Sequence, residues 1–201
     1  GVDAEELASA EAVLREEQRK AAARAGLERV EGRRDLAALR AAVSEAKAAG
    51  LGAEETAVAE AALHEEERQA AARASLAAAV RSRHIVALLA ALEEAKAAGL
   101  AAAELTAAEA ALAEEERKAE ARQHLDKAMA GSDVAALREV VGAAAAAGVP
   151  AKELAPARAA LSERERRATA QSRLADAKRG GNILALRQAM EEARAAGLPA
   201  E

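Results

Sequence analysis

The 201-residue sequence contains no Cys, Phe, Tyr or Trp and only 3 Pro. Without cysteine there are no disulfides, thiolate metal sites or cysteine nucleophiles, and the redox compartment stays undecided. Without aromatics there is no platform for stacking bases. A net charge of -5 is likewise the wrong balance for a nucleic-acid surface, which usually carries a basic patch. There is no run of ~18 apolar residues that could span a membrane, and within this segment no charged-then-apolar leader is read. A membrane-surface helix would need bulky residues opposite a Lys/Arg-rich face, and none is present. The expectation is an intracellular segment with no nucleic-acid or membrane partner. Residues with AT-rich codons are also scarce, with one Asn, two Ile and seven Lys against 22 Arg, the bias of a GC-rich genome.

Alanine dominates what remains: there are 67 Ala but only 37 large apolar residues, 22 of them Leu and 11 Val. Leu, Ile and Val together fall below the ~20% that accompanies disorder, but that rule applies to chains of high net charge, and here the charges nearly balance. Ala, Leu, Glu and Arg are the strongest helix formers, so an all-α chain is expected.

A tandem repeat organises the chain. EAKAAG ending at Gly50, EAKAAG at Gly99, AAAAAG at Gly148 and EARAAG at Gly197 recur every 49 residues, with Gly1 in the same phase. One continuous array results, with units 1–49, 50–98, 99–147 and 148–196 and the start of a further unit at 197–201. Aligned, the four units share 16 of 49 positions, including Leu14/Leu63/Leu112/Leu161 and Leu27/Leu76/Leu125/Leu174. Terminal units of a complete array carry polar outer faces. Here the end units resemble the middle ones and there is no initiator Met, so the expectation is a segment of a longer array.

Each unit spells two helices. The shorter follows Asp35, His84, Asp133 or Asn182, three of which are good N-caps. Its apolar residues fall at i, i+3, i+7 and i+10, as in Leu36, Leu39, Val43 and Ala46, which is one helical stripe. It stops at the repeated glycine, suited to a left-handed residue, and the next Leu51, Leu100, Val149 or Leu198 can fold back on the last turn. The longer helix runs about 28 residues, roughly 42 Å at 1.5 Å per residue. Asp3 and Glu6 have capping-box spacing, and Pro150 suits a first helical position. Pro156 predicts a later start or a kink in the last long helix.

Along the long helix the apolar stripe changes sides. At 100° per residue Leu7, Ala10, Leu14 and Ala21 share one face, whereas Ala23, Leu27 and Val30 lie about 140° to 200° away. Between them sits a charged belt: REEQRK (15–20), HEEERQ (64–69), AEEERK (113–118) and SERERR (162–167). The first half of a long helix can therefore pack on the short helix before it, and the second half on the one after. Successive long helices would run parallel and offset, giving a staggered elongated rod or an open α-solenoid. Alanine at the contacts allows the closest helix approaches.

Candidate sites are few. His64, His84 and His124 occupy unrelated repeat phases and form no metal-binding spacing, so no metal or cofactor is expected. Paired carboxylates lack a pocket that could raise one pKa, and there is no Ser/His/Asp set or phosphate loop, so no catalytic residue and no small-molecule substrate is expected. The belts supply one recurring constellation, Glu16, Glu65, Glu114 and Glu163 in phase with Arg19, Arg68, Arg117 and Arg166. It reads either as a docking ladder for another protein or array, or as intrahelical pairing, i to i+3 along the ladder and i to i+4 for Glu16 with Lys20.

The strings DLAALRAAVSEAKAAGL (35–51) and DVAALREVVGAAAAAGVP (133–150) resemble the Ala-rich two-helix repeats of multidomain algal and protist proteins from GC-rich genomes. The resemblance implies no catalytic residue. A period of 49 departs from tetratricopeptide, ankyrin and HEAT or armadillo lengths, and the loss of every aromatic leaves a computationally generated repeat protein, with no biological function, as the rival origin. The expected function is a non-enzymatic structural segment, a spacer or scaffold. The alternative is an interaction solenoid that binds a peptide or helix.

Overall fold

The structure, a computed structural model, describes residues 3–198. In chain order the elements are α1 (Ala4–Val30), α2 (Leu36–Ala48), α3 (Ala53–Ser82), α4 (Ile85–Ala97), α5 (Ala102–Ala130), α6 (Val134–Ala146), α7 (Ala151–Gly180) and α8 (Ile183–Ala195). The starts of the long helices, and both ends of the short ones, recur at the 49-residue period of the sequence. The short helices have 13 residues each and the long ones 27 to 30. All four charged belts lie inside long helices, as their lack of Gly and Pro and their high helix propensity require.

The helix ends follow local chemistry. The Asp35 side chain accepts from the N–H groups of Ala37 and Ala38, Asp133 from Ala135 and Ala136, and Asn182 from Leu184 and Ala185. His84, whose ring lacks a suitably placed carboxyl oxygen, makes no such bond. At the other end Gly50 has φ +76°, and Leu51 N–H donates to the Ala46 carbonyl at 3.1 Å. Leu51 is buried, so the hydrophobic contact of the Schellman motif is present as well.

Two expectations for the long-helix starts are corrected, and of the two alternatives at Pro156 the later start is overturned. Asp3 occupies the N-cap position of α1 but its side chain makes no capping bond. The glutamate half of the box operates instead in later units, where Gly52 N–H donates to Glu55 at 3.1 Å and Ala101 N–H to Glu104 at 3.4 Å. Pro150 is the N-cap of α7, one residue before the first helical position, at φ -57° and ψ 141°. Pro156 does not delay the helix: α7 opens at Ala151, in phase with the other long helices, and carries the proline in its interior. The proline φ is already helical, and the missing bond would have reached Lys152, an exposed residue in the first turn.

Residues fall into two units, Gly1–Ala111 and Leu112–Glu201. In the first, α2 packs against both α1 and α3, and α3 against α4. Its core joins Val30, Leu39 and Ala42 with half-buried Leu27 and Leu63, beside a second cluster of Ala23, Ala46, Ala49 and Leu51. In the second unit α7 packs against α6 and α8. There Leu125 of α5, Leu137, Val141 and Ala144 of α6, and Val149, Leu154 and Ala157 form one cluster, with Leu161 on its edge. The stripe switch is visible in both. Leu63 and Leu161, from first halves, meet the preceding short helix, whereas Leu27 and Leu125, from second halves, meet the following one. Thr56 stands where Leu7, Leu105 and Leu154 stand in the other units and is 2% exposed, its hydroxyl donating back to the Ala53 carbonyl at 3.4 Å.

Candidate functional site

The eight ladder residues do not form one repeated pattern. Arg68 pairs with Glu65 at 3.1 Å and Arg166 contacts Glu163, the intrahelical i to i+3 arrangement. Glu16 and Glu114 turn instead to the next residue on the same face, Lys20 and Lys118, each at 2.7 Å. Lys20 lowers the Glu16 carboxyl below its usual range, and the glutamates raise Lys20 and Lys118 above theirs. The Arg19 charge adds to the lowering at Glu16, behind Lys20.

Belt cations also serve neighbouring helix ends. Arg68 donates to the Ala97 carbonyl at 3.3 Å, at the end of α4, and Arg167 to the Ala196 carbonyl at 3.2 Å, just past α8. Arg164 donates to the Met129 carbonyl at 2.7 Å and the Ala128 carbonyl at 3.4 Å, in the last turn of α5. A cation at a helix C-terminus satisfies orphan carbonyls and complements the helix dipole. Part of the belt is therefore joint hardware.

A second constellation, not among the expected sites, is more regular. Arg24 Nε lies 2.7 Å from Glu55, Arg73 Nε 2.6 Å from Glu104 and Arg122 Nε 2.7 Å from Glu153, each pair 31 residues apart. The arginine sits in the second half of one long helix and the glutamate in the first turn of the next. All three carboxyls are held below the usual range, chiefly by the arginine hydrogen bond, with the Gly52 N–H helping at Glu55 and the Ala101 N–H at Glu104. The sequence carries the signal, because Arg24/Arg73/Arg122 and Glu6/Glu55/Glu104/Glu153 recur in phase. Pairing rules within one helix do not reach it. Each clasp also fixes a stagger: Glu55 corresponds in phase to Glu6, 18 residues before Arg24, so α3 begins beside α1 after an advance of about 27 Å.

The remaining concavities have little chemistry. A half-open groove of about 310 Å³ lies between α1, α2 and α3, lined by Leu27, Val30, Leu39 and Val58, with the Arg24–Glu55 clasp on its rim. His64 lies in α3, His84 at the N-cap of α4 and His124 in α5, and all three are exposed. Among the described residues no group of three or more His, Asp or Glu side chains is placed to hold a metal ion, and no helix is long and apolar enough to cross a membrane. Comparison of the chain with protein-family models, curated proteins and solved structures finds no match among any of them.

Proposed function

We propose that the chain is a non-enzymatic structural segment whose repeats act as a spacer or scaffold. The observation that carries this reading is the recurrence of one joint. Leu39, Leu88 and Leu137, in phase on α2, α4 and α6, are 1%, 0% and 0% exposed, and the Arg–Glu clasps recur at one sequence separation. A joint repeated with the same residues fixes the advance from one long helix to the next, which is what a spacer supplies. The internal apolar stripes are taken up in making those joints, with Leu105, Ala108, Leu154 and Ala157 buried, and the carboxyl shifts at the clasps run downward through ion pairing, away from what a general acid requires. Other proteins or another array are the partners this role implies.

With no native cysteine, a direct test is simple. Spin labels at Glu54→Cys and Ala103→Cys, two exposed positions one repeat apart in the first unit, should give a single narrow distance distribution that persists in 1 M salt, where the screening length falls to about 3 Å and exposed ion pairs are weakened. A broad or multimodal distribution would remove the fixed step and with it the spacer.

A further inference from the structure

The groove between α1, α2 and α3 opens because α1 stops short. The other long helices end at Ser82, Ala130 and Gly180, two or three residues later in repeat phase than Val30, where α1 ends just ahead of Gly32 at φ +72°. The hollow of about 310 Å³ is at the small end of ligand-sized clefts. Leu27, Val30 and Leu39 line its buried side, and Val58 of α3 stands at its edge, 68% exposed. Ser9, Ala107 and Pro156 hold the phase of Val58 in the other units, so a branched aliphatic side chain stands there in this repeat alone. The opening does not depend on where the chain begins. It uses the second half of α1, whereas a preceding short helix would cover the first half, as α2 covers that of α3. Among the described residues α1 does not contact α4, so by the same period a long helix before α1 would not reach α2. The next pair, α3 and α4, is in place and leaves the groove open.

Charge identifies what fits. Arg24, Glu28, Glu31 and Glu55 are the charged residues lining the groove. Arg24 and Glu55 neutralise one another at 2.7 Å, whereas Glu28 and Glu31 form no ion pair among the described residues. The two free acids are particular to this joint: their counterparts are Ala77, Asp126 and Ala175 at the first position and Val80, Met129 and Lys178 at the second. We propose that the groove docks a basic segment of another protein, which seats one large apolar side chain against Leu27, Leu39 and Val58 and sets Lys or Arg against Glu28 and Glu31. An acidic partner would meet like charges, which suppress a contact, whereas flanking cations complement them. An aromatic is the strongest anchor, since it buries ~150 to 250 Å² in one side chain and such residues dominate binding where they fill a pocket. A second copy of this chain is the wrong occupant, because it has no aromatic to offer and carries a net charge of -5.

The absence of Trp from the chain makes a Trp peptide its own reporter. The probe is a capped ten-residue alanine peptide with one Trp, a Lys three residues before it and a Lys four residues after it, which share one face of a helix. Titration with the full chain should give a saturable blue shift and a rise in anisotropy of the Trp emission. The same peptide with both Lys replaced by Glu should bind at least about tenfold more weakly. Glu28→Gln with Glu31→Gln should weaken the Lys peptide about two- to tenfold. Val58→Lys should abolish binding, and Val86→Lys, at a 79% exposed position on α4, adds the same charge outside the groove and should leave binding unchanged. Circular dichroism and the thermal midpoint establish that each variant folds. Unchanged Trp emission at millimolar chain, or a loss in Val86→Lys equal to that in Val58→Lys, would overturn the proposal. So would tryptamine binding as tightly as the peptide, which would make the groove a site for a small organic cation, or self-association of the wild type that Val58→Lys abolishes, which would make a second copy the occupant. The docking site goes beyond the structural role proposed above and does not depend on a fixed step between repeats. A narrow label distance beside a failed titration would remove the docking site and leave the spacer.

Discussion

Arg73 Nε donates to Glu104 Oε2 at 2.6 Å, while the other carboxylate oxygen of Glu104 accepts the Ala101 N–H at 3.4 Å. One side chain thus caps the start of α5 and clasps it to α3. Because it belongs to both helices, substituting it reports on the joint as a whole.

The clasps contribute to the acid sensitivity of the fold. Glu55, Glu104 and Glu153 have folded pKa values below the ordinary ~4.3 of an unfolded glutamate. A carboxyl lowered on folding contributes stability that is complete above the unfolded pKa and is lost as pH falls through the folded value. Urea midpoints should therefore be flat near pH 7 and decline below about pH 4. The triple variant Glu55→Gln, Glu104→Gln, Glu153→Gln should have a lower midpoint at pH 7 and a shallower decline in acid. A decline as steep as that of the wild type would assign the acid sensitivity elsewhere.

Two glycines should respond with opposite signs. Gly99 has φ +70°, so Gly99→Ala forces a left-handed alanine and should cost about 1 to 2 kcal/mol. Gly142 lies inside α6, where an added methyl group would meet no neighbour within 4 Å, so Gly142→Ala should stabilise by about 0.5 to 1 kcal/mol. Chemical denaturation of both variants checks the pair.

Leucines divide in the same way. Leu137 is 0% exposed at the centre of the α6 joint, and Leu137→Ala should cost about 2 to 5 kcal/mol. Leu184 on α8 is 76% exposed, and Leu184→Ala should stay within about 0.5 kcal/mol of wild type. Comparable losses at both sites would mean that burial does not govern stability here.

Pro156 lies within α7 and lacks the N–H that would donate to the Lys152 carbonyl. Alanine occupies its phase in α5 as Ala107, so Pro156→Ala should stabilise the chain by up to about 3 kcal/mol, read from the urea midpoint. An unchanged midpoint would show that the first turns of α7 contribute nothing to the cooperative unit.

The helices were legible in the sequence because their determinants are local. Asp35, Asp133 and Asn182 cap where a side-chain oxygen precedes an apolar stripe, and Gly50 and its counterparts stop each short helix by positive φ. The change of stripe between Leu14 and Leu27 likewise foretold which neighbour each half of a long helix meets. The contacts between helices were less legible. Arg24 and Glu55 are 31 residues apart and meet only once α2 has set the stagger, so spacing within a helix cannot reveal them. The ladder was legible as a recurrence, and the i to i+4 pairing of Glu16 with Lys20 was legible with it, whereas the arginines that reach the carbonyls of neighbouring helix ends were not, because those contacts form only between helices.

The central mechanism is that the preceding short helix, more than helix propensity, holds the first half of each long helix. Identical repeat phases inside one molecule allow a direct comparison by hydrogen exchange. In dilute solution residues 7–19 of α1 should exchange rapidly, because their stripe is exposed. Residues 56–68 of α3 and 154–166 of α7, covered by α2 and α6, should exchange at least about tenfold more slowly. Equal exchange in the three segments would contradict the mechanism, since the helix would then stand without its joint.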